Sequence, residues 1–325
     1  LIKNDIKEGF MRNLPIHPFI TILLIVLLVG CKAASNGHHH DDSESIARAR
    51  LNALPDALTS SNLFDTTILE PTRLFDNVYF VGYVSVGSFA LQTTDGIVLI
   101  DTMWTPNDAK TVIVPGLIAL GLDPEDIKFV FITHGHSDHY GGAHYFEMEY
   151  GAEILMREQE WRFINDPDAP VLTDPFGNYS TEILAPTTYT PVNDGDSIMF
   201  GDTQVTILAT PGHTPGATSL IISAMDDGKK HTIALWGGTG LPDTLEANKR
   251  YLDSLNYFQS EVNKRDADVT ISNHPFSNDL TKKMNLLNQQ NDNDDNPLVI
   301  GNKALNEYID NELRKNVMDK ISSFN

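Results

Sequence analysis

Residues 131–142 read FITHGHSDHYGG, placing His134, His136, Asp138 and His139 within six positions behind an apolar run. Neutral imidazole nitrogens and carboxylate oxygens both bind zinc, at roughly 2.0–2.2 Å. His134 and His136 are two apart, so in an extended loop their side chains leave the same face. Asp138 and His139 follow where the chain turns toward a helical pattern, and they can face a second point. One segment thus offers two half-built sites, each needing a ligand from farther along the chain. His213 lies in TPGHTPG, where glycine and proline on both sides fix a tight loop. His274 lies in SNHP, at the end of a strand-like run. The expected sets are His134, His136 and His213 for one metal ion, and Asp138, His139 and His274 for a second, two Zn2+ per chain. Three protein ligands leave zinc an open position, and zinc lowers the pKa of bound water towards about 7. The chemistry expected is therefore hydrolysis. A metal-dependent binding lipoprotein without activity is the competing reading, and the completeness of both sets argues against it.

Other histidines carry bland readings. His144 lies about one helical turn past the motif and is expected to pack. His231 follows DDGKK and is expected in an exposed hairpin turn, and His17 falls in the amino-terminal leader.

The elements that must position the ligands are legible in outline. NVYFVGYVSV and SFALQTT alternate as antiparallel strands do, and DGIVLID begins at an Asp-Gly turn signal. TPNDAKTVIVPGLIALG is expected to be helical, with Asn107 or Asp108 near its start and Gly121 as its stop. IKFVFIT is a continuous apolar strand of the kind buried on both faces. A second half repeats the scheme: strands around Asp202, the loop with His213, the buried strand HTIALWGG, a charged amphipathic helix, and DVTISNHPF delivering His274. Residues 302–320 can form a closing helix. Strands that end in ligand-type residues, separated by helices, imply an α/β fold with its site along one sheet edge.

HGHSDH, TPGHTPG, Asp101 ending IVLID and the late His274 resemble the metallo-β-lactamase superfamily, from about residue 74 to 280. LGLDPEDIKFVFITHGHSDHYGG and DGDSIMFGDTQVTILATPGHTPGATS are most similar to the third subclass of the zinc β-lactamases. The resemblance implies an αβ/βα four-layer sandwich, two facing β-sheets with helices outside. It implies that Asp101 steadies a ligand loop rather than binding metal. It also implies that Asp138 both binds the second zinc and orients a zinc-bound hydroxide that opens a β-lactam amide. Many members, among them glyoxalase II, many lactonases and phosphodiesterases, carry a metal-bridging aspartate in a GD after a second-half strand. Here that stretch reads LWGGTG, with Gly238 in its place. The third subclass also lacks the bridge and sets a small hydroxyl residue nearby. Thr239 matches that position and is the candidate for the substrate carboxylate. The alternative is a hydrolase of lactones, thioesters or other esters with little β-lactam activity. Tyr140, Trp161 and Phe176 are candidates for the cleft wall, and equally for core or ordinary surface.

The whole chain bounds the partners. Its 325 residues carry 44 acidic and 23 basic side chains, a formal charge of −21, which argues against a nucleic-acid partner. A small-molecule substrate is expected, and no protein partner is evident. FITILLIVLLV, residues 19–29, is too short to span a bilayer, and with Met11 and Arg12 before it and LVGC after it reads as a secretory signal. LVGC resembles the bacterial lipobox, which would make Cys31 a lipidated first residue; a plain anchor or a buried cysteine are the alternatives. The expected organisation is residues 1–31 upstream sequence and signal, 32–45 a polar tether, and 46–325 one domain. The triplet His38 to His40 is read as part of the solvated tether. Periplasmic, outer-membrane attachment is expected.

Overall fold

The computed structural model describes residues 63–166, 183–290 and 294–324. His17, Cys31, the tether with His38–His40, and Phe176 lie outside the described residues.

Two sheets organise the described chain. The first has seven strands in sequential order: β1 (Thr72–Phe75), β2 (Val78–Gly82), β3 (Gly87–Thr93), β4 (Gly96–Ile100), β5 (Ile127–Phe131), β6 (Glu153–Met156) and β7 (Thr190–Pro191). β1 to β4 form an antiparallel meander, and β4 to β7 run parallel. The second has five, in the order β12–β11–β10–β9–β8: β8 (Ser197–Phe200), β9 (Thr203–Ala209), β10 (Thr218–Asp226), β11 (Lys229–Leu235) and β12 (Val269–Ile271). Its pairings are antiparallel except for β11 with β12.

Side-chain alternation decides the layering. Phe131, Val98 and Ile100 join Ile207, Leu220, Ile222 and Leu235 in a core between the sheets. Their neighbours Val130, Ile132, Ile97 and Leu99 point the other way, into a second core. There they meet α1, which runs from Pro106–Asp108 through a π turn, Ala109–Ile113, into Val114–Ala119, and α3 (Ala143–Tyr150). Strands covered on both faces have little polar side to show, which is why IKFVFIT is apolar apart from Lys128, exposed near its start, and the closing Thr133. Each side chain so buried contributes roughly 1.5–3 kcal/mol.

The outer face of the second sheet is covered by α5 (Leu245–Lys264) and the closing helix α6, which runs from Gly301–Tyr308 through a π turn, Ile309–Arg314, into Lys315–Ser322. Tyr251, Leu255, Phe258 and Val262 form one stripe of α5; Leu305, Ile309, Leu313 and Val317 form one stripe of α6. That spacing is the amphipathic helix period. The whole is a sandwich of two facing sheets with helices outside.

Asn107 and Asp108 stand at the start of α1 as expected, and its cap is Thr105, whose side chain accepts from the Asp108 amide. One local expectation is corrected. His231 is not in a turn: it sits within β11 opposite Ala224, mostly buried, its Nδ1 2.6 Å from Asp268 Oδ2. The turn is Asp227-Gly228, both with positive φ, a two-residue hairpin that returns the chain to strand at Lys229.

Candidate metal centre

Strand direction gathers the site. β4 and β5 are parallel, and β9 and β11 both oppose β10, so each sheet has one edge where several strands end at their carboxyl termini. Asp101 follows β4, the His134–His139 segment follows β5, His213 follows β9, Thr239 follows β11 and His274 follows β12. Carboxyl ends of strands are where α/β sheets place ligands. The two edges meet directly where the Thr218 amide donates to Thr133 O at 3.0 Å. His136 precedes a short turn of helix, α2 (Ser137–Tyr140), which rotates Asp138 and His139 away from the line of His134 and His136.

The six residues close into the two expected sets. The ligand atoms of His134, His136 and His213 lie within 4.8 Å of one another, and so do those of Asp138, His139 and His274. Imidazole planes within the first set cross nearly at right angles, with centroids 4.5 to 4.9 Å apart. His134 and His139 link the sets, their centroids 3.9 Å apart.

Ring orientation tests whether these groups suit a cation. His213 Nδ1 lies 2.6 Å from Gly240 O, and His274 Nδ1 2.7 Å from Ser85 O. A carbonyl only accepts, so both Nδ1 atoms carry the proton and both Nε2 atoms present a lone pair. His139 Nδ1 lies 2.7 Å from Asp101 Oδ2, with the same consequence. The Thr133 hydroxyl donates to Asp101 and so accepts from His134 Nδ1 at 3.2 Å, which leaves His134 Nε2 a lone pair 3.1 Å from His213 Nε2. His139 Nε2 is buried, 3.3 Å from Asp138 Oδ2, and makes no aligned hydrogen bond. Asp138 Oδ2 also stands 3.7 Å from His274 Nε2. Converging lone pairs and a buried nitrogen without a hydrogen-bond partner are what a cation satisfies. The residues present fit two metal ions.

Titration agrees with that fit. Burial, reinforced by neighbouring imidazoles, holds His134 and His213 well below the usual histidine range, and brings His136 down to about 4. His274 is lowered by burial and by His139. These imidazoles are neutral at physiological pH, the form that binds metal. Burial alone would raise the Asp138 carboxyl, but His139 outweighs it and keeps it ionised. Burial also opposes charging His139, yet Asp138 and Asp101 push it up to about 10. A cation at Nε2 would replace that proton.

Asp101 is the hub beneath the ligands. Fully buried and at φ 61°, it accepts from the Thr133 amide and hydroxyl, both at 2.8 Å, from His139 Nδ1, and from Asn273 Nδ2. Left-handed backbone at a non-glycine residue costs on the order of 1–3 kcal/mol and persists only where surroundings fix it. Such partners set the tautomer and aim of a ligating histidine. Thr239 is half-buried, its hydroxyl 3.4 Å from Ser272 Oγ, which in turn accepts from the His274 amide at 3.2 Å. Gly238 packs on His213: a Cβ there would stand 2.7 Å from His213 Cβ.

His144 belongs to neither set and lies 3.4 Å from Glu147. Tyr140 packs into the helix-side core of the first sheet, and Trp161 stacks on Tyr189 with centroids 4.5 Å apart. Four contributors escaped sequence reasoning: Asn273, adjacent to a recognised ligand; Ser85 and Gly240, acting through their carbonyls; and Glu160, fully buried on α4 (Glu158–Ile164). Only Asn273 had a signal, its place beside His274.

Fold and site define a metal-dependent hydrolase with a two-sheet sandwich. Residues 81–224 match the family model described as the metallo-beta-lactamase superfamily, and the protein is a hydrolase of the metallo-beta-lactamase fold. The chain is 26% identical over 188 residues to the N-acyl homoserine lactonase AttM of Rhizobium radiobacter, covering 54% of this chain and 68% of that one. Among solved structures it is similar to the FEZ-1 metallo-beta-lactamase of Legionella gormanii, with TM-score 0.65, 23% identity and coverage of 78% of this chain and 96% of that one. It is similar also to BJP-1, a subclass B3 metallo-beta-lactamase of Bradyrhizobium japonicum, with TM-score 0.58, 24% identity and coverage of 79% and 98%.

Proposed function

We propose that the protein is a binuclear zinc hydrolase that opens the amide of β-lactams. The observation that carries this reading is Gly238. A bridging aspartate there would need its Cβ 2.7 Å from His213 Cβ and 3.1 Å from His213 Cγ, so the position has no room for a carboxylate while His213 holds its place. The space between the sets is left to water and substrate. That suits a bicyclic amide whose carboxylate and departing nitrogen approach on the same side.

His134, His136 and His213 would hold one zinc ion, and Asp138, His139 and His274 the other. Bound there, zinc supplies Lewis acidity and makes water nucleophilic near neutral pH. The protein's own part is orientation. Asp101, Gly240 O and Ser85 O fix the proton on Nδ1 of His139, His213 and His274, leaving Nε2 to the metals. Asp138, kept ionised, accepts a hydrogen bond from the attacking water and aligns it with the carbonyl carbon. Thr239 would receive the substrate carboxylate.

A second reading, lactone hydrolysis, is favoured by the likeness to AttM. The experiment that separates them is turnover by the zinc-loaded protein of a chromogenic cephalosporin beside an acyl-homoserine lactone. The proposal expects cephalosporin hydrolysis, abolished by chelators and indifferent to serine-directed inhibitors. Intact β-lactams with an opened lactone would overturn it in favour of the second reading.

The proposal extends to location. The lipobox-like LVGC supports lipidation at Cys31 and attachment to the outer membrane on the periplasmic side. Cys31→Ser is expected to abolish incorporation of labelled fatty acid in a bacterial host. Absence of label in the unaltered protein would refute the anchor.

A further inference from the structure

Glu160 is a fully buried carboxylate with no part in either set of ligands, and its carboxylate oxygens accept from the two segments that carry the first set. Oε2 accepts at 2.5 Å from the amide of Gly135, the residue between His134 and His136. Oε1 accepts at 2.8 Å from the hydroxyl of Thr214, the residue after His213, and from the amide of Gly216. The two glycines are fitted to it: a Cβ on Gly135 would lie 2.9 Å from Oε2, and one on Gly216 2.8 Å from Oε1. The two segments are 79 residues apart in the chain, counted from His134 to His213, and belong to different sheets.

Burying a carboxylate costs several kcal/mol unless its lone pairs are taken. Here they are taken by both loops at once, so neither loop can shift without breaking a charge-assisted bond in a dry place. The second set has its own supports, Asp101 under His139 and Ser85 O under His274.

We infer that Glu160 is a positioning residue, a buried strut that sets the spacing of His134 and His136 against His213 and so preforms the first metal site while leaving the second alone. The inference rests on the proposed metal sites for its consequence, and on the loops alone for its geometry. Glu160→Gln keeps size and removes charge. Its amide nitrogen cannot accept, so at least one of the two loops loses its partner. The backbone bond from Thr218 to Thr133 O remains to hold the sheets together.

The test uses the full chain and zinc, titrated against a competing chelator. In an Asp138→Ala background, where the first site remains, E160Q is expected to weaken zinc binding about 10- to 100-fold, the range for partners that orient ligands. In a His213→Ala background, where the second remains, the change is expected to stay within about twofold. Amide exchange in the zinc-free chain gives a readout independent of metal. Peptides over 133–137 and 212–218 are expected to exchange faster in E160Q, with α5 unchanged.

Unaltered zinc affinity in the first background, equal loss in both, or unchanged exchange in both loops would each overturn the strut. A chain that binds no zinc yet shows faster exchange in both loops would sink the metal reading and leave the strut standing. Should E160Q fail to fold, Thr214→Val removes one donor and spares the carboxylate. It is expected to show a smaller loss confined to the first background, and no loss there overturns the inference.

Discussion

The decisive chemistry at residue scale is the competition between proton and cation at Nε2 of His139. Asp138 lies 3.3 Å away and Asp101 2.7 Å from the opposite nitrogen, and together they favour a positive charge on that ring. A divalent cation would answer the same electrostatic demand, with His139, Asp138 and His274 as the residues to hold it. Two zinc equivalents per chain are therefore expected by metal analysis. His213→Ala and Asp138→Ala should each reduce this to one and cut turnover by orders of magnitude, while His144→Ala should leave both unchanged. A single equivalent in the unaltered protein that does not rise with added zinc would contradict the paired sites. Gly238→Asp makes a sharper case, because the new Cβ collides with His213. The variant is expected to lose the first zinc rather than gain a bridging ligand. Retention of two equivalents together with a rise in lactone hydrolysis would show that the space exists after all. The six ligand candidates were legible because imidazole and carboxylate at such spacing have few other uses. Glu160 was not: in EQEWRFI it reads as one of two solvated acids in a first helical turn, and its glycine partners are distant in sequence. Ser85 and Gly240 act through carbonyls, which every residue has.

Elements hold these residues in place through a few side chains that tie one segment to another. Glu147 on α3 accepts from the amide and hydroxyl of Thr187, at 2.7 and 2.6 Å, and from those of Thr188, both at 2.9 Å. It thereby fixes the approach to β7, the edge strand of the first sheet. Burial would raise its pKa, but the four hydrogen bonds prevail and the folded value lies below 4.5. A depressed carboxyl stabilises the fold above its unfolded pKa, and that contribution is lost as pH falls through the folded value. Glu147→Gln is thus expected to cost about 1 kcal/mol near neutral pH, within the range for bonds to an ionised group after allowance for solvent. The two proteins should converge in acid, well below 4.5. Urea unfolding at both pH values checks this, and a deficit that persists in acid would assign it to packing instead. Elements were legible where period and length agreed, as in IKFVFIT and the charged α5. The register of β11 was missed because a two-residue turn ends sooner than the polar run DDGKK suggests, which drew His231 into the sheet.

At the scale of the molecule, the site exists only because two sheets present their carboxyl-terminal edges to each other. Apolar runs announced strands covered on both faces, but strand order and the facing of the sheets have no periodic signature; the facing was expected from family resemblance, and the strand order was not foreseen. The closing helix shows what the second sheet requires. Leu305, Ile309, Leu313 and Val317 are all buried, packed with Tyr251, Leu255 and Phe258 of α5 over Ile221, Ala234 and Trp236. At roughly 1.5–3 kcal/mol for each large apolar side chain, removing the stripe forfeits an amount comparable to the whole stability of an ordinary domain, about 5–15 kcal/mol. Truncation after Ile300 is therefore expected to abolish cooperative unfolding, with aggregation replacing a soluble melt. Ile309→Asp, which buries one unpaired charge in the same stripe, should lower the melting temperature steeply without shortening the chain. The loss should extend to zinc binding, because β11 and β12, whose outer covering this is, deliver Thr239 and His274. A truncated chain that melts cooperatively within a few degrees of the full protein would mean that α5 alone covers the sheet, and that the closing helix is an accessory to the fold.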